Sequence, residues 1–240
     1  MSETTLEEFE RAGIAALVRA GEAKQWFFGH FGASMIAGAR LLREPDLPGP
    51  AAMALSRQLA ALLERHRDWY APLGEVGAAT PGLDPLLEAL RRDVGQLRTS
   101  GHSTIYGAAA LHVLRRNPRL ATERVIDGLV LLHAVARQDD PARHYGVSDY
   151  FTVVDRQSPA ADEDRGDSVD AFRTAVAALD HLVADQQIDG RHYFLLGEKI
   201  HLLTHAHAIA TYEELGYGEI AAQAMEAQSS LARIVEHSRV

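Results

Sequence analysis

Apolar residues recur three and four positions apart along most of the chain, which is the spacing that places them on one face of an α-helix. Between positions 51 and 70, for example, Leu55, Leu59 and Leu62 follow this spacing. No run alternates between apolar and polar positions strongly enough to predict a β-sheet. The pattern therefore predicts an all-α fold.

Prolines, glycines and capping residues divide this pattern into separate helices. Asn117-Pro118 ends one helix, and Thr122 is placed to cap the next. The predicted helices cover about 5–19, 24–43, 51–70, 84–97, 102–116, 123–137, 168–184, 190–215 and 218–237. Because the sequence contains no repeat and no low-complexity segment, we expect a single-domain multi-helix bundle over residues 1–240, with an irregular segment near 138–166.

Composition restricts the classes of function. The chain is 47% hydrophobic and 24% charged, as is usual for a globular protein. Its formal net charge of −9 argues against nucleic acid as a partner, because phosphate binding needs a basic surface. The acidic N-terminus does not resemble a signal peptide, and the longest apolar stretch, 26–42, is interpreted as a core helix. We therefore expect a cytoplasmic protein without a membrane partner, and the sequence is compatible with a homodimer.

Histidine is the residue type that points to chemistry. The chain has 12 histidines and no cysteine, so a metal site would use imidazole and carboxylate groups rather than thiolates. His201 and His205 are four residues apart in a predicted helix, a spacing that lets one helix supply two ligands to one ion. Glu198 falls on the same helical face, whereas His207 points away from it.

Two further histidines have unusual surroundings. His30 lies in an aromatic and glycine-rich stretch, and His102 follows Gly101 at the start of an apolar helix. Lone histidines inside apolar helices are interpreted as core residues, and those flanked by charge as solvated. The first group is His112 and His133, and the second is His66, His144 and His237.

Other chemistries have weaker support in the sequence. It lacks the glycine-rich nucleotide-binding loops and the nucleophile elbow of the hydrolases. A di-iron bundle needs Glu-x-x-His motifs on two helices, and the only such motif is Glu198/His201. A mononuclear site with mainly histidine ligands is therefore favoured, with iron, zinc, copper and nickel all admissible. The alternative is a non-catalytic helical protein that binds an apolar small molecule, with structural histidines.

Three segments together resemble the questin-oxidase-like family of helical oxygenases. They are Gly29-His30-Phe31, Gly101-His102-Ser103-Thr104-Ile105-Tyr106, and Ile200-His201-Leu202-Leu203-Thr204-His205-Ala206-His207-Ala208. The resemblance implies oxidative cleavage of a carbon–carbon bond in a polycyclic aromatic ketone or quinone, as part of secondary metabolism. This chemistry is described both as Baeyer–Villiger-like and as non-haem iron oxygenation at several histidines and a modified lysine.

The resemblance also implies roles for individual residues. His30, His102 and His201 match the family's histidines, and Lys199 is the counterpart of its lysine, although it lies roughly opposite His201 on a helical wheel. His205 is better placed to replace that lysine. The chain is shorter than expected of the family, which implies an altered substrate pocket.

These arguments give one hypothesis, an all-α oxygenase that uses iron, or another transition metal, with O₂ as co-substrate and a small aromatic molecule as substrate. The expected metal ligands are His30, His102, His201 and His205, with His192 as a fifth. The expected catalytic residues are Lys199 and Tyr106, and the substrate pocket is expected to include Trp26, Phe27 and Phe31.

Overall fold

The computed structural model describes residues 3–74, 82–139, 166–179, 186–188, 191–193 and 195–237. Over these ranges the fold is all-α with one small hairpin, which confirms the predicted fold class. Most of the irregular segment predicted near 138–166, namely residues 140–165, lies outside the described residues. Within the described ranges, no helix combines the length and the apolarity needed to cross a membrane.

The helices follow the predicted order, but the one predicted over 51–70 is divided at His66 and the one predicted over 84–97 ends at Asp93. They are α1 (Glu3–Glu22), α2 (Gly29–Leu41), α3 (Gly49–Arg65), α4 (Arg67–Tyr70), α5 (Asp84–Asp93), α6 (His102–Arg116), α7 (Glu123–Arg137), α8 (Ser168–Leu179), α9 (Leu195–Glu214) and α10 (Gly218–His237). Short 3₁₀ turns cover Trp26–Phe28, Arg98–Gly101 and Pro118–Leu120. Proline in the first turn of α3 needs no backbone hydrogen-bond partner there, so it starts the helix without cost.

The hairpin corrects one predicted helix boundary. Strand β1 (Gln186–Ile188) pairs antiparallel with β2 (Arg191–Tyr193), and α9 begins only at Leu195 rather than near position 190. The sequence between the two strands is Asp-Gly, a dipeptide that favours a tight hairpin over a helix. His192 therefore lies on a strand. The predicted helix over 190–215 had wrongly placed it on the same helix as His201.

The chain divides into two compact units. The first unit comprises Met1–Ala89 with Ala109–Val135, and the second comprises Leu90–Ala108 with Ala136–Val240. The expectation of a single domain over residues 1–240 stays a prediction.

In the first unit, α1 and α2 cross at two glycines. A Cβ atom added to Gly32 would lie 2.5 Å from the carbonyl oxygen of Gly13 and 2.9 Å from the backbone nitrogen of Leu17. The two backbones therefore approach more closely than any side chain allows. Next to this crossing, Arg43 binds the buried carboxylate of Glu10 at 2.7 Å and Glu3 at 2.8 Å.

In the second unit, α8, α9 and α10 pack together. The amide nitrogen of Gln228 on α10 donates to the carbonyls of Ala171 on α8 and Leu202 on α9, at 3.4 and 3.2 Å. The buried Tyr212 hydroxyl on α9 donates to the carbonyl of Thr104 on α6 at 2.9 Å. The Tyr212 bond links the C-terminal end of α9 to the first turn of α6.

Candidate metal centre

The chain enters α6 through an unusual turn. Thr99, Ser100 and Gly101 have φ angles of 52°, 54° and 80°, so three consecutive residues are left-handed, and all three are buried. Left-handed φ is an outlier for a β-branched residue such as threonine, and it persists only where the surroundings impose it. Backbone strain of this kind clusters at functional sites, and here it comes directly before His102.

The turn fixes the protonation pattern of His102. The Nδ1 of His102 hydrogen-bonds the carbonyl oxygen of Thr99, and both residues are buried. Since a carbonyl oxygen only accepts, Nδ1 must carry the hydrogen, and the lone pair of the neutral ring is on Nε2. Metal-binding histidines almost always donate their second N–H in this way, because the bond sets both the ring orientation and the tautomer.

His30 is held by the same kind of bond. Its Nδ1 donates to the carbonyl oxygen of Phe27 at 2.6 Å, and the lone pair of the neutral ring is again on Nε2. Burial lowers the pKa of His30, and the bond to Phe27 opposes that shift. The ring is therefore neutral near pH 7, which is the form that binds metal.

His201 lies against His102. The two rings meet edge to face, with centroids 4.4 Å apart and planes at 75°, and His201 is partly exposed on α9. The structure thus brings together histidines from two elements that are far apart in the chain.

The described residues contain one group of potential metal ligands whose donor atoms lie close together. One ring nitrogen from each of His30, His102 and His201 lies within 4.8 Å of the other two. Nitrogen ligands at about 2.1 Å from an ion are at most about 4.2 Å apart, a spacing similar to that of this group. The three residues could therefore hold a metal ion.

The donor set restricts which metals fit. The group consists of three imidazoles, which suit zinc, copper, iron and nickel but not magnesium or calcium. Three protein ligands also leave coordination positions for water or substrate, which is typical of catalytic rather than structural sites. Three of the five expected ligands thus lie close together, and the choice of metal is not determined by these three.

His205, the fourth expected ligand, is not in this group. It is completely buried, and its ring lies against Gly101 instead. The pKa of His205 is lowered to about 4, mainly by burial; the nearby Gln228 side chain raises it, and the neighbouring His201 lowers it. His207, two residues further along α9, is exposed, which agrees with the predicted difference between the two faces.

Of the two expected catalytic residues, the structure describes the side chain of one, Tyr106. The Tyr106 ring lies 5.3 Å from the His102 ring and is buried, and burial raises the pKa of its hydroxyl well above the ordinary value. Tyr106 therefore keeps its proton at neutral pH. Lys199 falls on α9 and His192 on β2, but their side chains lie outside the described residues. Their expected roles stay predictions.

The three residues of the expected substrate pocket separate into two groups. Phe27 is 62% exposed, touches Trp26 edge to face at 5.7 Å, and lies 4.7 Å from the His30 ring. Phe31 packs against the core of the first unit and stacks on His66 at 4.5 Å. His66, interpreted from its charged neighbours as solvated, is therefore half-buried against an aromatic ring.

Sequence reasoning missed two residues near the centre. Thr99 supplies the carbonyl that orients His102, and Gln228 lies beside His205 from α10. The Thr-Ser-Gly sequence before His102 is a signal for a turn, but not for a left-handed one. A single glutamine in an amphipathic helix gives no signal at all.

Comparison of the chain with protein-family profiles, curated proteins and solved structures found no match.

Proposed function

We propose that this chain is a mononuclear metal-dependent oxygenase in which His30, His102 and His201 hold iron. The observation that carries the proposal is the convergence of these three imidazoles within 4.8 Å. The proposed reaction is oxidative cleavage of a carbon–carbon bond in a polycyclic aromatic ketone or quinone, as the family resemblance implies.

Two features of the ligands support a metal rather than a purely structural role. His30 and His102 each donate Nδ1–H to a backbone carbonyl, so both have the lone pair on the nitrogen suited to a metal. A purely structural histidine needs no strained turn to orient it, whereas His102 follows three left-handed residues. Iron, when bound, supplies the ability to bind and activate dioxygen.

The protein groups around the ligands suit an aromatic substrate. Phe27 offers an exposed ring beside His30, where a planar molecule would stack and be held next to the metal. Tyr106 remains a phenol at neutral pH, so it would donate a hydrogen bond to a substrate oxygen and not act as a base.

The experiment measures metal binding first and oxygen consumption second. Metal-free protein is loaded anaerobically with Fe²⁺ and mixed with air and a panel of polycyclic ketones and quinones. We expect about one iron per chain, substrate-dependent oxygen uptake, and an oxygenated ring-opened product. A mass gain of two oxygen atoms would indicate cleavage without an external reductant, and a gain of one would indicate an external two-electron donor.

Two controls separate the parts of the proposal. Protein loaded with Zn²⁺, which has no redox chemistry, should bind the ion at the same residues and consume no oxygen. The His102→Ala variant should lose iron and activity together. Iron bound tightly with no oxygen uptake on any substrate would refute the oxygenase, and the absence of any metal binding would refute the centre itself and favour the apolar binding protein.

A further inference from the structure

We infer that His205 is a positioning residue for His102 and not a ligand of the ion. It would act by holding the left-handed turn Thr99–Gly101, whose Thr99 carbonyl orients the His102 ring. This inference rests on the proposed metal centre, and it assigns a different role to the histidine that spacing alone makes a co-ligand of His201.

The first observation is the contact between His205 and the turn. The Cδ2 and Nε2 atoms of His205 lie 2.5 and 3.0 Å from the point that a Cβ atom on Gly101 would occupy. Glycine is required here twice, because φ is 80° and because the ring fills the space of a side chain. The imidazole edge therefore packs directly against the turn at Gly101.

The second observation is what lies beside the His205 ring. The Gln228 amide neighbours it, and the nitrogen of that amide is held by two carbonyls, those of Ala171 and Leu202. Because both acceptors are backbone groups of packed helices, the amide beside the ring has a fixed orientation. The His205 ring on α9 thus lies beside a fixed side chain of α10 as well as against the turn.

The consequence concerns the backbone of Thr99 and Ser100. Neither residue favours left-handed φ, so the turn would relax toward ordinary angles if the ring behind it were removed. Relaxation would move the Thr99 carbonyl away from Nδ1 of His102, and the ring would lose both its orientation and its tautomer. His205 would thus control metal affinity without touching the ion.

The test begins with the metal-free protein. Long-range ¹H–¹⁵N spectra report which ring nitrogen carries the proton, and wild type should show His102 protonated on Nδ1. In His205→Ala this pattern should be lost or averaged, whereas in the exposed control His207→Ala it should be unchanged. An unchanged His102 pattern in a folded His205→Ala protein would overturn the inference, whatever the outcome of the metal experiments.

The second measurement uses Cu²⁺ as the probe. A positioning role predicts about 10–100-fold weaker binding in His205→Ala, with the number of nitrogen ligands in the electron paramagnetic resonance spectrum the same as in wild type. Loss of one nitrogen in the variant would show that His205 is a ligand and would overturn the inference. Failure of wild type to bind Cu²⁺, Fe²⁺ or Zn²⁺ would refute the proposed function, and the tautomer measurement would still decide the role of His205.

A second variant, Gly101→Ala, keeps the inference testable if His205→Ala does not fold. It should disturb the His102 pattern in the same way, because the new methyl group would collide with the His205 ring. In the double variant the collision is absent, so the two effects on Cu²⁺ affinity should not add. Additive effects would mean that His205 and Gly101 act independently, and would contradict the proposed mechanism.

Discussion

The imidazole rings of His102 and His201 meet edge to face with their centroids 4.4 Å apart. Two imidazoles this close repel each other once both are protonated, and a bound cation requires both to be neutral. The pair is therefore most stable when both rings are neutral, and a bound metal ion favours that state.

Substitution of any of the three clustered histidines should weaken metal binding, whereas substitution of His66 or His207, outside the cluster, should not. His30→Ala, His102→Ala and His201→Ala should each weaken Zn²⁺ binding more than the roughly 10–100-fold that loss of a group outside the ligand set costs. Competition with a chelator of known affinity measures the change.

Two histidines outside the cluster provide the controls. His66→Ala removes a ring that stacks on Phe31, and His207→Ala removes an exposed ring on α9. Both should retain wild-type Zn²⁺ affinity, even if His66→Ala lowers stability. Equal affinity in all five variants would place the metal elsewhere.

Acid should destabilise the metal-free protein through His205. Its pKa is about 4 in the folded protein, against about 6.5 in an unfolded chain, because burial disfavours the charged form. Below pH 6.5 the unfolded chain takes up a proton that the folded protein does not, so stability from this group is present above pH 6.5 and is lost as pH falls to 4. The loss amounts to roughly 3 kcal/mol.

Urea unfolding at pH 7.5 and 4.5 measures this loss. His205→Gln cannot titrate, so the difference between its stabilities at the two pH values should be smaller than in wild type. The exposed His207→Gln should behave as wild type does. The same pH dependence in His205→Gln and wild type would contradict the assignment.

The buried ion pair of Glu10 and Arg43 should contribute strongly to the first unit. The Glu10 side chain is 4% exposed and accepts from Arg43 at 2.7 Å, so removing it leaves a poorly solvated guanidinium with Glu3, at 2.8 Å, as its remaining partner. Glu10→Ala should lower the free energy of unfolding by about 3 kcal/mol. Chemical denaturation at neutral pH checks the value.

The matched control lies on the same helix. Glu7 is 44% exposed and pairs with Arg11 at 3.6 Å, a surface pair whose loss should cost less than about 1 kcal/mol. Similar costs for Glu7→Ala and Glu10→Ala would mean that burial of the second pair is unimportant.

The crossing of α1 and α2 should not tolerate a side chain. Gly32→Ala places a methyl group 2.5 Å from a backbone oxygen, which cannot move as a flexible side chain would. We expect a loss of about 3 kcal/mol, at the upper end of overpacking effects, and a lower melting temperature. Gly49→Ala at the start of α3, where the Cβ atom meets open space, should change stability little; a comparable loss there would refute the close-packing explanation.

Secondary structure was determined largely by local sequence. The helix over His102–Arg116 and the helix over Glu123–Arg137 begin and end where proline, glycine and capping residues predict, because these signals act over a few neighbouring residues. The error at His192 has the same local origin, since Asp-Gly before it is a hairpin signal that helical periodicity outweighed in the prediction.

For the candidate centre, the sequence alone predicted only which types of residue would be ligands. Twelve histidines and no cysteine predict imidazole ligands, and spacing pairs His201 with His205. Only the tertiary structure decides that His102 and His30 accompany His201 and that His205 lies against Gly101 instead. Which rings meet depends on how helices distant in sequence pack, and the left-handed φ of Thr99 runs against its own backbone preference, so local sequence does not predict it.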